Sequence, residues 1–433
     1  MDQAAGRLGS LLAEAFGGPL PLRLRAWDGS EVGPADAPVL VVRSRRALHR
    51  LLWKPGELGL ARAWVAGEIT VEGDLYEALA RLAPLIWQHE DGPAERNVRR
   101  LLPDPRLLRL AGQVLALAGP GLPPTPPREE LRSRHGLKHS LRRDREAISH
   151  HYDVGNDFYS LVLGPSMVYS CAYWDSQDST LEQAQFDKLD LVCRKLALRP
   201  GQRLLDVGCG WGSMVLHAAE HYGVHAVGVT ISVEQAELAR KRVVDAGLAD
   251  RVEIRVQDYR RIDDGPFDAI SSIGMAEHVG SVAYGTYASQ LFGLLKPGGR
   301  LLNHQIARPP RADESTYSVD EFIDRYVFPD GELAPVGTTV SLLEQAGFEV
   351  RDLESIREHY ALTLRGWVTN LERNWAEAVR LVSPGRARVW RLYMAASAVA
   401  FEQNGIGVNQ VLAVRTRTGG NSGMPLVRGP WSS

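Results

Sequence analysis

The chain is poor in cysteine, the residue that most often cross-links exported proteins and binds zinc. Its 433 residues contain 3 cysteines, Cys171, Cys193 and Cys209, and none of them lies in a Cys-x-x-Cys pair. A disulfide framework and a metal site are therefore not predicted. Because disulfides are rare in reducing compartments, and because the first residues carry no apolar leader pattern, we expect a cytoplasmic protein.

Long apolar runs and an excess of charge of one sign are also missing. No stretch reaches the roughly 18 consecutive apolar residues that suggest a membrane-spanning helix, so a membrane contact would have to be peripheral. The formal net charge is −2. Aromatic side chains are not interleaved with basic ones at base-stacking positions, so the sequence predicts no nucleic-acid partner.

A proline-rich run predicts a domain boundary. Residues 119–127 read GPGLPPTPP, a run that cannot continue a helix and that favours an extended linker. We therefore expect an N-terminal domain over residues 1–118, a proline-rich and then basic linker over 119–145, and a second domain over 146–433. The basic residues of the linker are Arg128, Arg132, Arg134, Lys138, Arg142, Arg143 and Arg145.

The function of this basic stretch stays open at the level of sequence. Charged residues between domains often form a solvated linker, whereas the same charges attract an anionic membrane surface or phospholipid head groups. The N-terminal region predicts a strand at 39–43 and a helix at 45–52, and nothing in it looks catalytic. We expect a small α-rich accessory domain that docks on lipid or supports a homodimer.

A glycine-rich turn after a short apolar strand is the most informative feature of the second region. Residues 204–212 read LLDVGCGWG, in which Asp206 lies near the strand end, and Gly208, Gly210 and Gly212 let the backbone turn sharply beside a ligand. A helix predicted over 213–222 would direct its N-terminal N–H groups at that ligand. The spacing resembles the S-adenosylmethionine (SAM) loop of Rossmann-like methyltransferases; the alternative is a structural turn in another α/β protein.

Strands and helices alternate along the rest of this region. Apolar runs predict strands at 203–207, 224–231, 252–256, 267–273, 300–306 and 408–415, with helices at 213–222, 232–246 and 283–295. This alternation of strands and helices is typical of an α/β fold with a mostly parallel, doubly wound sheet. Ligands bind beyond the carboxyl ends of such strands, which is where Asp206, Thr230, Asp258 and Glu277 fall.

Residues 150–174 read HHYDVGNDFYSLVLGPSMVYSCAYW and show no clean period of either a helix or a strand. We therefore expect a lid or site-forming segment rather than a core element. Together with LDVGCGWG, GVTISVEQ, GMAEHVG, LLNHQIA, YVFPDGELAP and EHYALTLRGW, this segment resembles the cyclopropane fatty acid synthases and the mycolic acid cyclopropane synthases. The resemblance extends over residues 150–415, and residues 58–73 also resemble the accessory domain of the two-domain synthases.

The resemblance implies a SAM-dependent methyltransferase that acts on unsaturated acyl chains of membrane phospholipids. In this family the cis double bond attacks the methyl group of SAM, and a bound bicarbonate ion then removes a proton from the carbocation. The residues that match the family's catalytic, bicarbonate-binding set are Cys171, Glu277, His304, Ile306 and Tyr360. The expected SAM site comprises matching residues and others at the same strand ends: Tyr169, Ser170, Asp206, Gly208, Gly210, Gly212, Thr230, Ile231, Gln235, Asp258 and Tyr259.

The chemistry of an alkene nucleophile fits these residue types. The π electrons attack without a base, so the reaction needs a dry pocket, aromatic faces that tolerate a cation, and a weak base for the last step. The candidate aromatic faces are Tyr152, Tyr159, Tyr169, Tyr173 and Trp174. Taken singly, Glu277 as a helix cap, His304 as a core histidine and Tyr360 as a surface residue are alternatives. No activating base is evident for Cys171 as a nucleophile.

The product and two other classes of function stay open. Proton loss from the added methyl group closes a cyclopropane, whereas a prior hydride shift gives a 10-methylene chain, and both outcomes use the same residues. A methyl branch would also need a separate reductase, since the chain has no flavin or nicotinamide motif. A non-catalytic lipid-binding protein is disfavoured by the intact glycine loop, and a soluble small-molecule methyltransferase by the accessory domain and basic linker.

Overall fold

The chain divides into two compact units, of which the computed structural model describes residues 3–87, 105–131 and 154–428. The first unit comprises Met1–Arg132 with Asp320–Val327 and Ser383–Val399, and the second comprises Ser133–Val319, Phe328–Val382 and Ala400–Ser433. The sequence did not indicate that two later segments join the first unit. The predicted boundaries at 118 and 145 stay a prediction, because residues 132–153 lie outside the described ranges.

Helices pack with a small mixed sheet in the first unit. Its elements begin with α1 (Ala4–Phe16), β1 (Arg23–Arg25), β2 (Glu31–Val32), β3 (Val39–Val42), α2 (Arg46–Trp53), α3 (Glu57–Val65), β4 (Ile69–Glu72), α4 (Leu75–Trp87) and α5 (Pro105–Ala118). The strand order is β2-β1-β3-β4. The core is made of aliphatic side chains from strands and helices, among them Leu8, Leu24, Val42 and Leu48.

Part of this sheet was missed at the level of sequence. The strand predicted at 39–43 and the helix predicted at 45–52 are confirmed as β3 and α2. The strands β1, β2 and β4 contain two to four residues each, and a period-2 pattern is not visible over such lengths.

The proline-rich residues 119–127 form neither helix nor strand, as their composition predicted. They are nevertheless tied to α2, because Gly119 O lies 3.0 Å from His49 Nε2 and Thr125 O accepts a hydrogen bond from Arg50 Nη1 at 3.0 Å. Just beyond them, the buried carboxylate of Glu130 accepts two hydrogen bonds from Arg62 of α3, at 2.6 and 2.7 Å. This part of the predicted linker is therefore fixed to the first unit.

The remaining elements carry the predicted alternation of helices and strands. They are α6 (Asn156–Leu163), α7 (Leu181–Leu196), β5 (Arg203–Val207), α8 (Ser213–Tyr222), β6 (His225–Thr230), α9 (Val233–Asp245), β7 (Val252–Val256), β8 (Phe267–Ile273), α10 (Ala276–Val279), α11 (Ser281–Leu294), β9 (Leu295–Ala307), α12 (Glu321–Tyr326), α13 (Val336–Gln345), β10 (Glu349–Ser355), α14 (Arg357–Arg373), α15 (Trp375–Leu381), α16 (Pro384–Glu402) and β11 (Gly407–Val414). Of these, α12 and most of α16 belong to the first unit.

A seven-stranded sheet of order β10-β11-β9-β8-β5-β6-β7 forms the second unit. The strands from β9 to β7 are parallel neighbours, whereas β11 runs antiparallel to β9 and β10. Buried side chains of α7, α8 and α9 form one core cluster with Leu204, and those of α11 and α13 form another with Leu205. Since successive strand residues face opposite sides of a sheet, helices cover both faces, and the predicted doubly wound α/β fold is confirmed.

Two details of the sheet differ from the prediction. The strand β10 was not predicted, because the adjacent charged residues Arg351 and Asp352 interrupt the alternation of apolar and polar residues, at the point where its register with β11 shifts. Residues 296–299, which precede the strand predicted at 300–306, lie within β9. They are accommodated by an irregular register, in which Phe267 pairs with Leu295 but Ala269 pairs with Arg300.

The expectation that residues 150–174 contain no core element was wrong for α6. Phe158, Tyr159, Val162 and Leu163 of this helix are all buried. The buried residues recur four positions apart, opposite the exposed Asp157 and Ser160, as expected for one face of a helix. The helix has only eight residues, too few for this period to be evident in the sequence. Residues 150–153 lie outside the described ranges.

Candidate active site

The glycine loop between β5 and α8 contains three residues with positive φ. Gly208, Gly210 and Gly212 have φ of +81°, +53° and +82°, a region that residues with a Cβ rarely occupy. The N–H groups of Gly208 and Cys209 donate to Val229 O at 3.0 and 2.9 Å, which ties the loop to β6. A Cβ at Gly210 would meet no atom within 4 Å, so this side of the loop is open to a ligand.

A pocket of about 760 Å³, including its open mouth, lies beside this loop. It is formed at the carboxyl ends of the central strands, where the doubly wound topology places ligands. The predicted SAM-site residues that line it are Gly208, Gly210, Thr230, Ile231, Gln235, Asp258 and Tyr259. Sequence analysis did not assign Met275, His278, Val279 and Ala283 to the SAM site, although they also line this pocket. The first three lie in the motif GMAEHVG, of which only Glu277 was singled out.

Two polar side chains are held in place at the carboxyl end of β6. Thr230 Oγ1 donates a hydrogen bond to Gln235 Oε1 at 2.9 Å. Ser232 caps α9 by accepting from the N–H of Gln235 at 3.2 Å. These bonds fix the side chains of Thr230 and Gln235 before any ligand arrives.

The pocket also has a fixed carboxylate after β7. Asp258 Oδ1 accepts hydrogen bonds from the backbone N–H and the Nε of Arg260, at 2.9 and 2.8 Å. Burial alone would raise the pKa of Asp258, but the hydrogen bonds and charge of Arg260 outweigh burial and lower it. Asp258 is therefore an anion at neutral pH.

The other residues predicted for the SAM site do not line this pocket. Asp206 is buried and accepts a hydrogen bond from Ser271 Oγ at 2.6 Å; burial raises its pKa to about 6, against the Ser271 bond and the charge of Lys188. A Cβ at Gly212 would lie 3.2 Å from the Cβ of Ala239, so this glycine allows close packing. Direct contact of SAM with Asp206, Gly212, Tyr169 or Ser170 stays a prediction.

Aromatic rings follow one another from the glycine loop through α14 to α16. Successive ring centroids lie 4.7, 5.5, 5.4, 6.0 and 4.7 Å apart along the series that we call the aromatic row: Trp211, Tyr159, Tyr169, Trp367, Tyr360 and Phe401. Sequence analysis singled out Tyr159, Tyr169 and Tyr360 but missed the other three, which are far apart in the chain. The row gives the second unit a continuous series of mostly buried rings rich in π electrons.

The other predicted aromatic faces lie elsewhere. Tyr173 stacks on His359, with ring centroids 4.7 Å apart and an interplanar angle of 10°. Trp174 donates its indole N–H to Thr363 Oγ1 at 3.1 Å. Both contacts fasten residues 169–174 to α14. Tyr152 lies outside the described residues.

Glu277 has a buried carboxylate beside the end of β8. The strand β8 ends at Ile273, which pairs with His304, so Ile306 of β9 lies beyond the end of β8. Its N–H is therefore not paired with β8, and it donates to Glu277 Oε1 at 2.7 Å. Glu277 Oε2 is buried and has no hydrogen-bond partner among the described residues. Burial raises the pKa of Glu277 to about 7, although the Ile306 bond acts in the opposite direction. A large share of Glu277 is therefore protonated at neutral pH.

His304 lies two residues before Ile306 on β9, so its side chain is on the same face of the strand. It is 2% exposed, and its Nε2 is buried without a hydrogen-bond partner among the described residues. Burial lowers the pKa of His304 well below its usual value, and the charges of Lys188 and Lys195 lower it further. The imidazole is neutral at neutral pH, so one of its nitrogens carries a proton.

The alternatives for the remaining residues can be compared with the structure. Tyr360 is buried rather than on the surface. Glu277 caps neither α10 nor the following helix α11, whose N-caps are Met275 and Gly280. The Cys171 Sγ donates to Ala172 O at 3.1 Å, and burial raises the pKa of this thiol well above its usual value. Cys171 is thus a neutral thiol, unsuited to act as a nucleophile.

The chain matches the family model described as mycolic acid cyclopropane synthetase over residues 139–411. This chain belongs to that family. The match includes the glycine loop, Glu277, His304, Ile306 and Tyr360. It also establishes the activity class: the protein is a SAM-dependent methyltransferase.

Proteins with named functions are similar to the chain over most or part of its length. It is 44% identical, over 96% of its own length and 95% of the relative's, to "Probable fatty acid methyltransferase Rv3720" of Mycobacterium tuberculosis (strain ATCC 25618 / H37Rv). It is 40% identical, over 61% of its length and 66% of the relative's, to "Cyclopropane-fatty-acyl-phospholipid synthase" of Escherichia coli (strain K12). A solved structure, mycolic acid cyclopropane synthase CmaA1 complexed with SAH and CTAB, superposes with a TM-score of 0.59 at 33% identity, covering 62% of this chain and 97% of that one.

Proposed function

We propose that this methyltransferase adds one carbon to the cis double bond of an unsaturated acyl chain in a membrane phospholipid. The observation that carries the proposal is a pair of buried polar atoms without partners among the described residues, Glu277 Oε2 and His304 Nε2, in a unit that also contains the aromatic row. An alkene as nucleophile needs no base at the start, and it needs protection of a cation afterwards. The relatives named for fatty acid and acyl-phospholipid chemistry support this substrate class.

SAM is expected to bind in the pocket beside the glycine loop. Gly208 and Gly210 allow close approach, and the fixed side chains of Thr230, Gln235 and Asp258 offer hydrogen-bonding groups along its lining. An open Cβ position at Gly210 supports this assignment, because a ligand is what would fill that space. The bound SAM supplies an electrophilic methyl group.

The residues also fit a bound bicarbonate ion. A buried polar atom without a partner is costly, so Glu277 Oε2 and His304 Nε2 fit a site for a small polar ligand. Near neutral pH both residues can donate a hydrogen bond to an anion, since Glu277 is partly protonated and His304 is neutral. Glu277, His304 and Tyr360, with the N–H of Ile306 and the segment around Cys171, would hold this ion. When bound, bicarbonate supplies a weak base for the last proton.

The aromatic row would stabilise positive charge on the acyl chain. Cation–π attraction strengthens when water is excluded, and Tyr159 and Trp367 of the row have no exposed surface. The row contributes no strong nucleophile that would capture the cation. It therefore favours proton loss as the way in which the reaction ends.

The product is a cyclopropane or a 10-methylene chain. The first arises when the proton leaves the added methyl group directly, and the second when a hydride shift comes first; a methyl branch would need a separate reductase.

In either case the enzyme must reach lipid from the membrane surface, since no helix in the described ranges is long and apolar enough to cross a bilayer. We expect cytoplasmic enzyme to associate peripherally with anionic lipid, and homodimerisation stays a prediction.

The test is analysis of the lipids of an expressing host. Expression of the wild type should convert monounsaturated phospholipid chains to chains heavier by one CH₂ group, and NMR would distinguish a ring from an exocyclic methylene. Glu277→Gln, expressed at the same level, is the matched control for background activity. If the host that expresses the wild-type enzyme keeps its lipids unchanged, and the enzyme methylates a water-soluble acceptor instead, the proposal is contradicted.

A further inference from the structure

The imidazole of His304 is connected to a second buried side chain on the neighbouring strand. Gln410 of β11 is the direct register partner of His304 on β9. Its side-chain Nε2 lies 3.3 Å from His304 Nδ1, and the side chain of Gln410 is completely buried. Whether His304 Nδ1 donates or accepts in this contact depends on whether the NH₂ group or the carbonyl oxygen of the Gln410 amide faces it.

Lys195 decides the orientation of that amide. The Nζ of Lys195, on α7, lies 2.7 Å from Gln410 Oε1, and it is also paired with the carboxylate of Glu354. An ammonium group donates and never accepts, so the Gln410 atom facing Lys195 is the carbonyl oxygen. The NH₂ group of Gln410 must therefore face His304.

This orientation determines the tautomer of His304. An amide NH₂ group donates, so His304 Nδ1 accepts and carries no proton. A neutral imidazole has its one proton on the other nitrogen, which is Nε2. That nitrogen is the buried atom of His304 that has no partner among the described residues.

We infer that Lys195 and Gln410 are positioning residues that hold His304 in the Nε2–H form, as a hydrogen-bond donor to the oxyanion in the active site. The inference rests on the proposed function for the identity of that oxyanion, bicarbonate. Neither Lys195 nor Gln410 touches the reacting atoms; both act through His304. In the opposite tautomer, the Nε2 lone pair would face the anion and repel it.

Gln410→Glu is the sharpest variant, because it preserves size and replaces the donor with an acceptor. A carboxylate at 410 keeps its contact with Lys195 and accepts from Nδ1–H, which reverses the tautomer. Gln185→Glu is the matched control. Gln185 is equally buried and bonds Leu163 O and Val168 O instead of His304.

The measurement is ¹⁵N NMR of the full-length protein labelled at histidine. The chain contains 12 histidines, and His304→Gln identifies the resonances of His304. We expect Nε2–H in the wild type and in Gln185→Glu, and Nδ1–H in Gln410→Glu. Lys195→Met, which frees the Gln410 amide to rotate, should show a mixture of both forms.

A kinetic measurement separates positioning from loss of structure. Gln410→Glu should raise the bicarbonate concentration needed for half-maximal activity by tenfold or more, while its SAM affinity stays within about twofold of wild type. Nδ1–H in the wild type, or Nε2–H retained in Gln410→Glu, would overturn the inference whatever the activity. A wild type with Nε2–H that leaves phospholipid unmodified would instead overturn the proposed function.

Discussion

The N–H of Ile306 donates to Glu277 Oε1 at 2.7 Å, at the point where β9 continues beyond the end of β8. The bond occupies one oxygen of a buried carboxylate and leaves the other available. A change of Glu277 therefore affects the site more than the sheet. It is the most direct test of the chemistry.

Glu277→Gln should reduce turnover by a factor on the order of 10² or more, because a misplaced proton acceptor costs about that much. SAM affinity, measured by calorimetry, should be unchanged, since Glu277 does not line the pocket beside the glycine loop. Added bicarbonate should restore part of the activity. A turnover number equal to that of the wild type would contradict the role of Glu277.

The same residue predicts a pH dependence of stability. The pKa of Glu277 is raised to about 7 in the folded protein, so the folded state binds its proton more tightly than the unfolded chain does. The contribution of Glu277 to the free energy of unfolding is complete at pH values below the pKa of the residue in the unfolded chain. It is lost as the pH rises towards 7. The loss amounts to at most about 3 kcal/mol.

Glu277→Gln cannot lose this proton, so it should gain stability relative to the wild type as pH increases from 5 to 8. Urea unfolding of both proteins at these two pH values measures the difference. Parallel changes in the free energy of unfolding for the two proteins would show that the carboxylate is not desolvated.

Gly210→Val should abolish SAM binding while the protein remains folded. The added methyl groups would fill space that is open beside the glycine loop. Gly247→Val is the matched control, since Gly247 also has a positive φ of +69° with nothing near its Cβ but does not line the pocket. Calorimetry should detect SAM binding for the control alone; equal affinities would refute the assignment.

Neutralising Arg132, Arg134, Arg142 and Arg143 together should weaken binding to anionic vesicles and lipid turnover, and leave SAM affinity intact. Each charge near such a surface contributes about 1 kcal/mol, and added salt should weaken wild-type binding by screening. Co-sedimentation with vesicles of increasing anionic lipid content measures the effect. These arginines lie outside the described residues, and equal sedimentation of variant and wild type would identify them as a solvated linker.

The sheet was predictable because its apolar strands and the glycine loop are local features of the chain. Most strand and helix positions around Gly208 followed from runs of a few adjacent residues. The aromatic row was not predictable in full, because Trp211 and Trp367 join it only through tertiary packing. Nor was the contact between Gln410 and His304, since residues of β11 and β9 become neighbours through an antiparallel pairing that no local pattern encodes.

The first unit has a consequence for how the protein is made. Trp64 donates its indole N–H to Arg388 O at 3.0 Å, and Glu130 accepts from the Tyr326 hydroxyl at 3.0 Å. These contacts within the unit form only after the ribosome has translated most of the chain. A nascent chain of the first 132 residues therefore lacks part of its own interior. A gene shortened to that boundary would encode an incomplete folding unit rather than a whole one.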